Sequence, residues 1–140
     1  MRHHVDLAFR QPSQPLSENK ARGAHWASVK ARLEPWKDAA WAVAHNHRVR
    51  YVKGTAAQVW TARPITVQVV IQFRGTRRRD PHNYTGTVVK AVVDGLVRAR
   101  LVPDDTADWV TVLDPVLEVQ PEKRRPLTCT VRIRPREARP

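Results

Sequence analysis

The residues able to do chemistry in this chain lie between Arg77 and Asp105. Arg77-Arg78-Arg79 leads straight into Asp80-Pro81-His82-Asn83. Lys90 and Asp94 follow, four residues apart, and then Pro103-Asp104-Asp105. Carboxylates beside arginines form ion pairs in many proteins. A carboxylate cluster beside a phosphate-attracting surface is also what metal-dependent cleavage of nucleic acid requires. Magnesium takes oxygen ligands, commonly one or two carboxylates with water and substrate phosphate. Asp80 and Asp105 are the candidate ligands, and His82, two residues on in an extended segment, would point to the side of Asp80. Its imidazole suits manganese or zinc better than magnesium. Lys90 would face the scissile phosphate and offset charge that builds during its displacement. Arg77, Arg78 and Arg79 would hold flanking phosphates. Each feature has a plainer alternative. Asp80-Pro81 opens turns, Asp104-Asp105 makes an ordinary polar turn, and Lys90 and Asp94 pair across a helix face.

The elements that must position these residues follow from hydropathic spacing. Residues 5–9 alternate and predict a first strand, and Gln11-Pro-Ser-Gln-Pro15 breaks it. Ser17 to Gly23 reads as an exposed basic loop. Apolar residues at 26, 29, 33, 36, 40 and 43 predict one helical face that buries Trp26, Trp36 and Trp41. Pro35 predicts either a kink or a short helix followed by a firmer one over 35–46. Residues 47–63 read as a connection. Ile65 to Phe73 alternates and predicts the clearest strand. Val88 to Val97 has helical spacing, with Thr85 or Thr87 as cap and Pro103 as terminator. A strand over 109–113, resuming to 119, a charged hairpin loop over 120–126 and a closing strand over 127–133 complete the order. The tail from about 135 to 140 is expected to fray. This order gives an α+β (mixed α/β) fold, a mixed sheet flanked by helices, as a single domain over 1–140. An all-parallel sheet is excluded, because the last two strands are joined too closely for a crossover.

Bulk composition agrees with a polyanion partner. The chain has 140 residues, 25 Lys and Arg against 13 Asp and Glu, and a net charge of +12. Its pI is near 11.2. Such an excess points to nucleic acid or an anionic membrane surface. No apolar run is long enough to span a bilayer and no signal peptide is evident, so no membrane partner and a cytoplasmic location are expected. The single cysteine, Cys129, excludes an internal disulfide and a cysteine zinc cage, and its alternating surroundings place it in the core.

Taken together, Arg-Arg-Asp-x-x-Asn, Lys-Ala-x-x-Asp-Gly-Leu and Asp-Asp resemble the RusA-type Holliday junction resolvases, a family of crossover junction endodeoxyribonucleases. The resemblance covers most of the chain, and the Asp-Pro-His-Asn form is similar to an actinobacterial or actinophage branch. It implies a RusA-like fold, catalytic residues Asp80, Lys90 and Asp105, and Asn83 at the family's asparagine. His82 stands where the family has a further aspartate, and extra residues separate Asn83 from Lys90. Asp104 or Asp94 would then supply the missing oxygen. The segment Ser17 to Trp26, with Lys20 and Arg22, matches the family's basic segment before its first helix. The resemblance further implies a homodimer acting on four-way DNA junctions with Mg2+, or Mn2+, as cofactor, in recombination and repair. A nuclease for forks or flaps, and a catalytically impaired basic DNA-binding protein, are the alternatives.

Overall fold

The computed structural model describes residues 4–52 and 63–136. Its frame is a mixed sheet of five strands with three α-helices: β1 (Val5–Arg10), α1 (Glu18–Arg22), α2 (Trp26–Tyr51), β2 (Ile65–Phe73), α3 (Lys90–Arg98), β3 (Val110–Val112), β4 (Val116–Val119) and β5 (Thr128–Pro135). The expected α+β class is therefore present. β5 lies between β1 and β2 and is antiparallel to both. β3 and β4 follow one another along the other side of β2, both parallel to it. The path from β2 through α3 to β3 is thus a crossover between parallel strands, as that geometry demands.

Alternation in β2 buries Ile65, Val67, Val69, Ile71 and Phe73, as the period of two requires. β5 buries Cys129, Val131 and Ile133 beside them. Burial pushes the Cys129 thiol up to about 12 from 9.0. Two results are expected. Alkylation of the native protein at pH 8 should wait for global unfolding, as read by mass spectrometry in rising urea. Stability should also fall as pH rises from 9 towards about 12, because the unfolded thiol ionises first. Rapid alkylation of the folded form would contradict this placement.

Helix α2 departs most from expectation. It runs unbroken through Pro35, from Trp26 to Tyr51, where a kink or two helices was expected. The carbonyl of Ala31, which loses its intrahelical donor at Pro35, lies on an exposed stretch where water can serve it. The fully buried stripe is Trp36, Ala40, Ala44 and Arg48, so full burial begins ten residues into the helix, after Leu33 packs partly against the core. Trp26 is 72% exposed, against the expectation that it joins the core face, while Trp41 packs partly against the core. The first part of the expected connection, 47–51, is helical, and 53–62 lies outside the described residues. Arg48 Nη1 donates to the Ala99 carbonyl, 3.4 Å away, at the end of α3, where a cation complements the helix dipole.

Gly95, within Asp-Gly-Leu, lets α2 and α3 meet. A Cβ there would collide with the Lys37 carbonyl and lie 2.9 Å from Ala40 Cβ and 3.0 Å from Trp41 N. Backbone atoms cannot swing aside as a flexible side chain does. Gly95→Ala is therefore expected to destabilise by about 1–3 kcal/mol despite alanine's better helix propensity. A urea midpoint at or above that of the parent would refute the close crossing.

Several boundaries also differ from the sequence reading. Ser17 to Gly23 is not an open loop: Ser17 caps α1, its hydroxyl accepting from Lys20 N at 3.2 Å. Neither Thr85 nor Thr87 caps α3, because helical structure already begins at Pro81. Pro103 does not end α3. A Schellman turn does so four residues earlier, with Arg100 N to Val97 O, Leu101 N to Leu96 O and Arg100 at φ 65°. Gln120 to Pro126 is no hairpin, since β4 and β5 pair with opposite sides of β2 rather than with each other. Arg74 fastens that crossing by donating to the carbonyls of Glu122 and Arg125. Pro135 still pairs with Ile65, so the strand reaches into the expected tail, and 137–140 lies outside the described residues. No described helix is long and apolar enough to cross a membrane.

Candidate nuclease site

The site is built on one helical path that changes pitch twice. β2 delivers the chain through Arg74–Arg79 to Asp80. A proline favours extended backbone in the residue before it, and Asp80 sits at φ −92°, ψ 120° as N-cap of a 3-10 turn, Pro81–Tyr84. Its carboxylate Oδ1 accepts from His82 N at 3.0 Å. His82 is therefore in a helical turn, not in the extended segment that the sequence suggested. Its imidazole turns to Asp114 instead, with Nδ1 3.7 Å from Oδ1 and both side chains well exposed.

Between Asn83 and Lys90 the chain forms a π-helical turn, Thr85–Val89. A π turn carries more residues per turn than an α-helix, and it leads directly into α3. Three bonds tie this path to residues 16–19. Asn83 Oδ1 accepts from Asn19 N at 3.0 Å, Glu18 Oε1 accepts from Gly86 N at 2.9 Å, and Thr87 Oγ1 donates to the Leu16 carbonyl. The Asn83 side-chain oxygen thus helps to position α1, while the residue also lines a cleft with Asp80 and His82. A Cβ at Gly86 would overlap the Glu18 carboxylate, so a side chain there would displace the Glu18 bond to Gly86 N.

Several of the candidate residues line two clefts that share no side chain. One, of about 200 Å³, is lined by Glu18, Asn19, Arg22, Asp80, His82 and Asn83. The other, of about 190 Å³, brings Lys90, Asp94 and Asp105 together with Thr85, Val89, Val93 and Val112. Lys90 Nζ lies 3.5 Å from Asp94 Oδ1, the pairing expected across a helix face. Asp80 and Asp105 line different clefts. Asp104 lines neither, and its Oδ1 accepts from Asp105 N at 2.7 Å within its own turn.

The three arginines separate in role. Arg77 and Arg78 are exposed. Arg79 folds back, its guanidinium 4.1 Å from the Phe73 ring centroid and donating to the carbonyls of Gly75 and Arg77. Arg79 orders the loop instead of reaching outward. Lys20 is exposed on α1, and Arg22 reaches the Asp80 cleft.

Among the described residues, no three His, Cys, Asp or Glu side chains gather as a metal-holding group. The donors nevertheless suit a hard cation held by one or two carboxylates, with water and substrate phosphate completing it. Asp105 and Asp94 would hold it in one cleft and Asp80 in the other. Sequence reasoning missed Asp114, Glu18 and Asn19. Asp114-Pro115 repeats the dipeptide Asp80-Pro81 and interrupts the strand between β3 and β4, which was the available signal. Glu18 and Asn19 follow the Ser17 cap, and nothing in the sequence ties them to Gly86 and Asn83.

Charge is unevenly divided. From 101 to 122 the chain contains Asp104, Asp105, Asp108, Asp114, Glu118 and Glu122, with no lysine, arginine or histidine. This stretch includes the β3–β4 side of the sheet. No protein-family model matches the chain, and no curated protein matches it.

Proposed function

We propose that the chain is a metal-dependent endodeoxyribonuclease for branched DNA, acting as a homodimer on four-way junctions in the manner of the RusA-type resolvases it resembles. The observation that supports this most is the cleft shared by Lys90, Asp94 and Asp105, together with a second cleft lined by Asp80, His82 and Arg22. When bound, a magnesium ion supplies an acidified water and offsets charge on the phosphate under attack. Asp105 and Asp94 would provide its carboxylate oxygens in one cleft, and Asp80 in the other. Lys90 binds a phosphate oxygen, exchanging its contact with Asp94 for the substrate. Arg77, Arg78 and Lys20, all exposed, track the backbone on either side, which gives affinity without reading sequence. A two-fold dimer matches the near two-fold symmetry of a junction and places two such sites for paired cuts.

His82, which stands where the resembled family has an aspartate and turns to Asp114, favours a second reading, a basic nucleic-acid-binding protein without cleavage. A panel of labelled four-way junctions, forks, flaps and duplexes, incubated with the pure protein in Mg2+ and then Mn2+, separates the two. Paired symmetric nicks in the junction are expected. Salt-sensitive binding with no cutting in either metal would establish the second reading, and faster cutting of flaps would move the substrate away from junctions.

A further inference from the structure

We propose that Trp26, backed by His25, is a stacking site for an unpaired base of single-stranded DNA. The inference rests on a nucleic-acid partner and does not require cleavage. At 72% exposure, Trp26 is the most exposed of the large hydrophobic side chains described. It opens α2 in a stretch with no fully buried side chain, since the buried stripe begins at Trp36. The fold therefore gains little from this indole, although burying a large apolar side chain contributes about 1.5–3 kcal/mol elsewhere.

A single exposed aromatic is ordinary, but this one has a fixed neighbour and a charged setting. His25 caps α2, its Nδ1 accepting from Ala27 N at 3.2 Å. That bond holds the imidazole with its centroid 5.7 Å from the indole and tilted 32° to it. Two flat rings are thus preset side by side, which lowers the ordering cost of capturing a third. Lys30 lies one turn further along α2, on the face of Trp26. Arg22 stands just before the turn into α2 and lines the cleft that contains Asp80. Lys20, Arg22 and Lys30 are all exposed and available to phosphates. An aromatic platform among backbone-tracking cations is how proteins grip single strands. Bases in intact duplex are already stacked on both faces and offer the indole little.

The test is fluorescence anisotropy with a labelled oligothymidylate, an abasic oligonucleotide of equal length and a duplex, all in EDTA. Trp26→Ala should weaken oligothymidylate binding by about 5- to 100-fold, the worth of one base–aromatic stack. Trp26→Phe should retain most of the affinity. The abasic strand should bind parent and Trp26→Ala alike, and duplex affinity should change by less than about twofold, as expected for loss of an uncharged side chain. Circular dichroism melting of Trp26→Ala should match the parent, since the residue is exposed. Unchanged oligothymidylate affinity in Trp26→Ala would overturn the proposal, as would equal losses on all three ligands. A parent protein that never cuts DNA but shows the expected pattern would refute the nuclease reading and leave this inference standing.

Discussion

Asp105→Asn is expected to reduce magnesium-dependent junction cleavage by at least about 100-fold, the scale on which one electrostatic group at a reacting centre acts. Junction binding should hold within about twofold or improve, because a negative charge facing phosphate has been removed. The variant is informative because the substitution changes charge with little else. Asp105 contributes its backbone N–H, not its carboxylate, to the turn with Asp104. Asp80→Asn should behave alike. The Asp80 carboxylate caps the 3-10 turn through Oδ1, and an asparagine oxygen can accept the same bond from His82 N. Lost cutting with retained folding would therefore isolate the negative charge. Asp104→Asn is the contrast, with cleavage near that of the parent, because its oxygen serves the local turn. Gel assays of nicking beside electrophoretic mobility shifts in EDTA read both quantities. Cutting at the parental rate by either Asp80→Asn or Asp105→Asn would remove that residue from the chemistry.

Trp36→Ala carries the largest expected cost in stability, about 3–5 kcal/mol. Trp36 is fully buried and meets Phe9 of β1 edge-on, with centroids 6.1 Å apart at 77°. Its Nε1 donates to Ser13 Oγ at 3.0 Å, so one side chain joins α2, β1 and the proline-flanked segment between β1 and α1. Small domains have a total stability of only about 5–15 kcal/mol, so this variant should lose much of its folded population near 37 °C. Urea denaturation followed by far-ultraviolet circular dichroism reads the change. Trp36→Phe should fall between the two, keeping a ring against Phe9 but leaving Ser13 without its donor. A midpoint shift worth less than about 1 kcal/mol would mean that the surroundings collapse to fill the void.

These expectations rest on parts of the fold that were unequally legible in the sequence. Ile65 to Phe73 was readable because alternation over nine residues has no helical rival. Residues 128–133 were readable for the same reason. Periodicity placed Leu33, Trp36, Ala40 and Val43 on the core side of α2 but carried that face too far back, to the exposed Trp26, because what a face touches depends on where the sheet ends, and that is not written in the helix. The turn after Asp80 was misread because Asp-Pro is compatible with both extended backbone and the start of a helix. Only the contacts of Asn83 and Gly86 with residues 18–19 distinguish them. The pairing of β4 with β2 instead of β5 depends on which strand occupies the centre of the sheet, a long-range choice that spacing cannot carry. For the site, the types of residue were evident early, whereas their division between two clefts follows from the π turn, which no periodicity announces.

The position of β5 has a consequence for how the chain reaches this structure. Among the described residues β1 has no other strand partner, so Val5 must wait for Ile133 and Arg10 for Thr128 before that side of the sheet closes. During synthesis almost the whole domain emerges before the strand that β1 needs. β2, α3, β3 and β4 form a contiguous stretch and can assemble among themselves, leaving the far side of β2 open. Closing so long a loop is entropically unfavourable, and domains dominated by such pairings fold over milliseconds to seconds rather than microseconds. The nascent chain therefore exposes two unpaired strand sides, along β1 and along β2, for as long as β5 is missing.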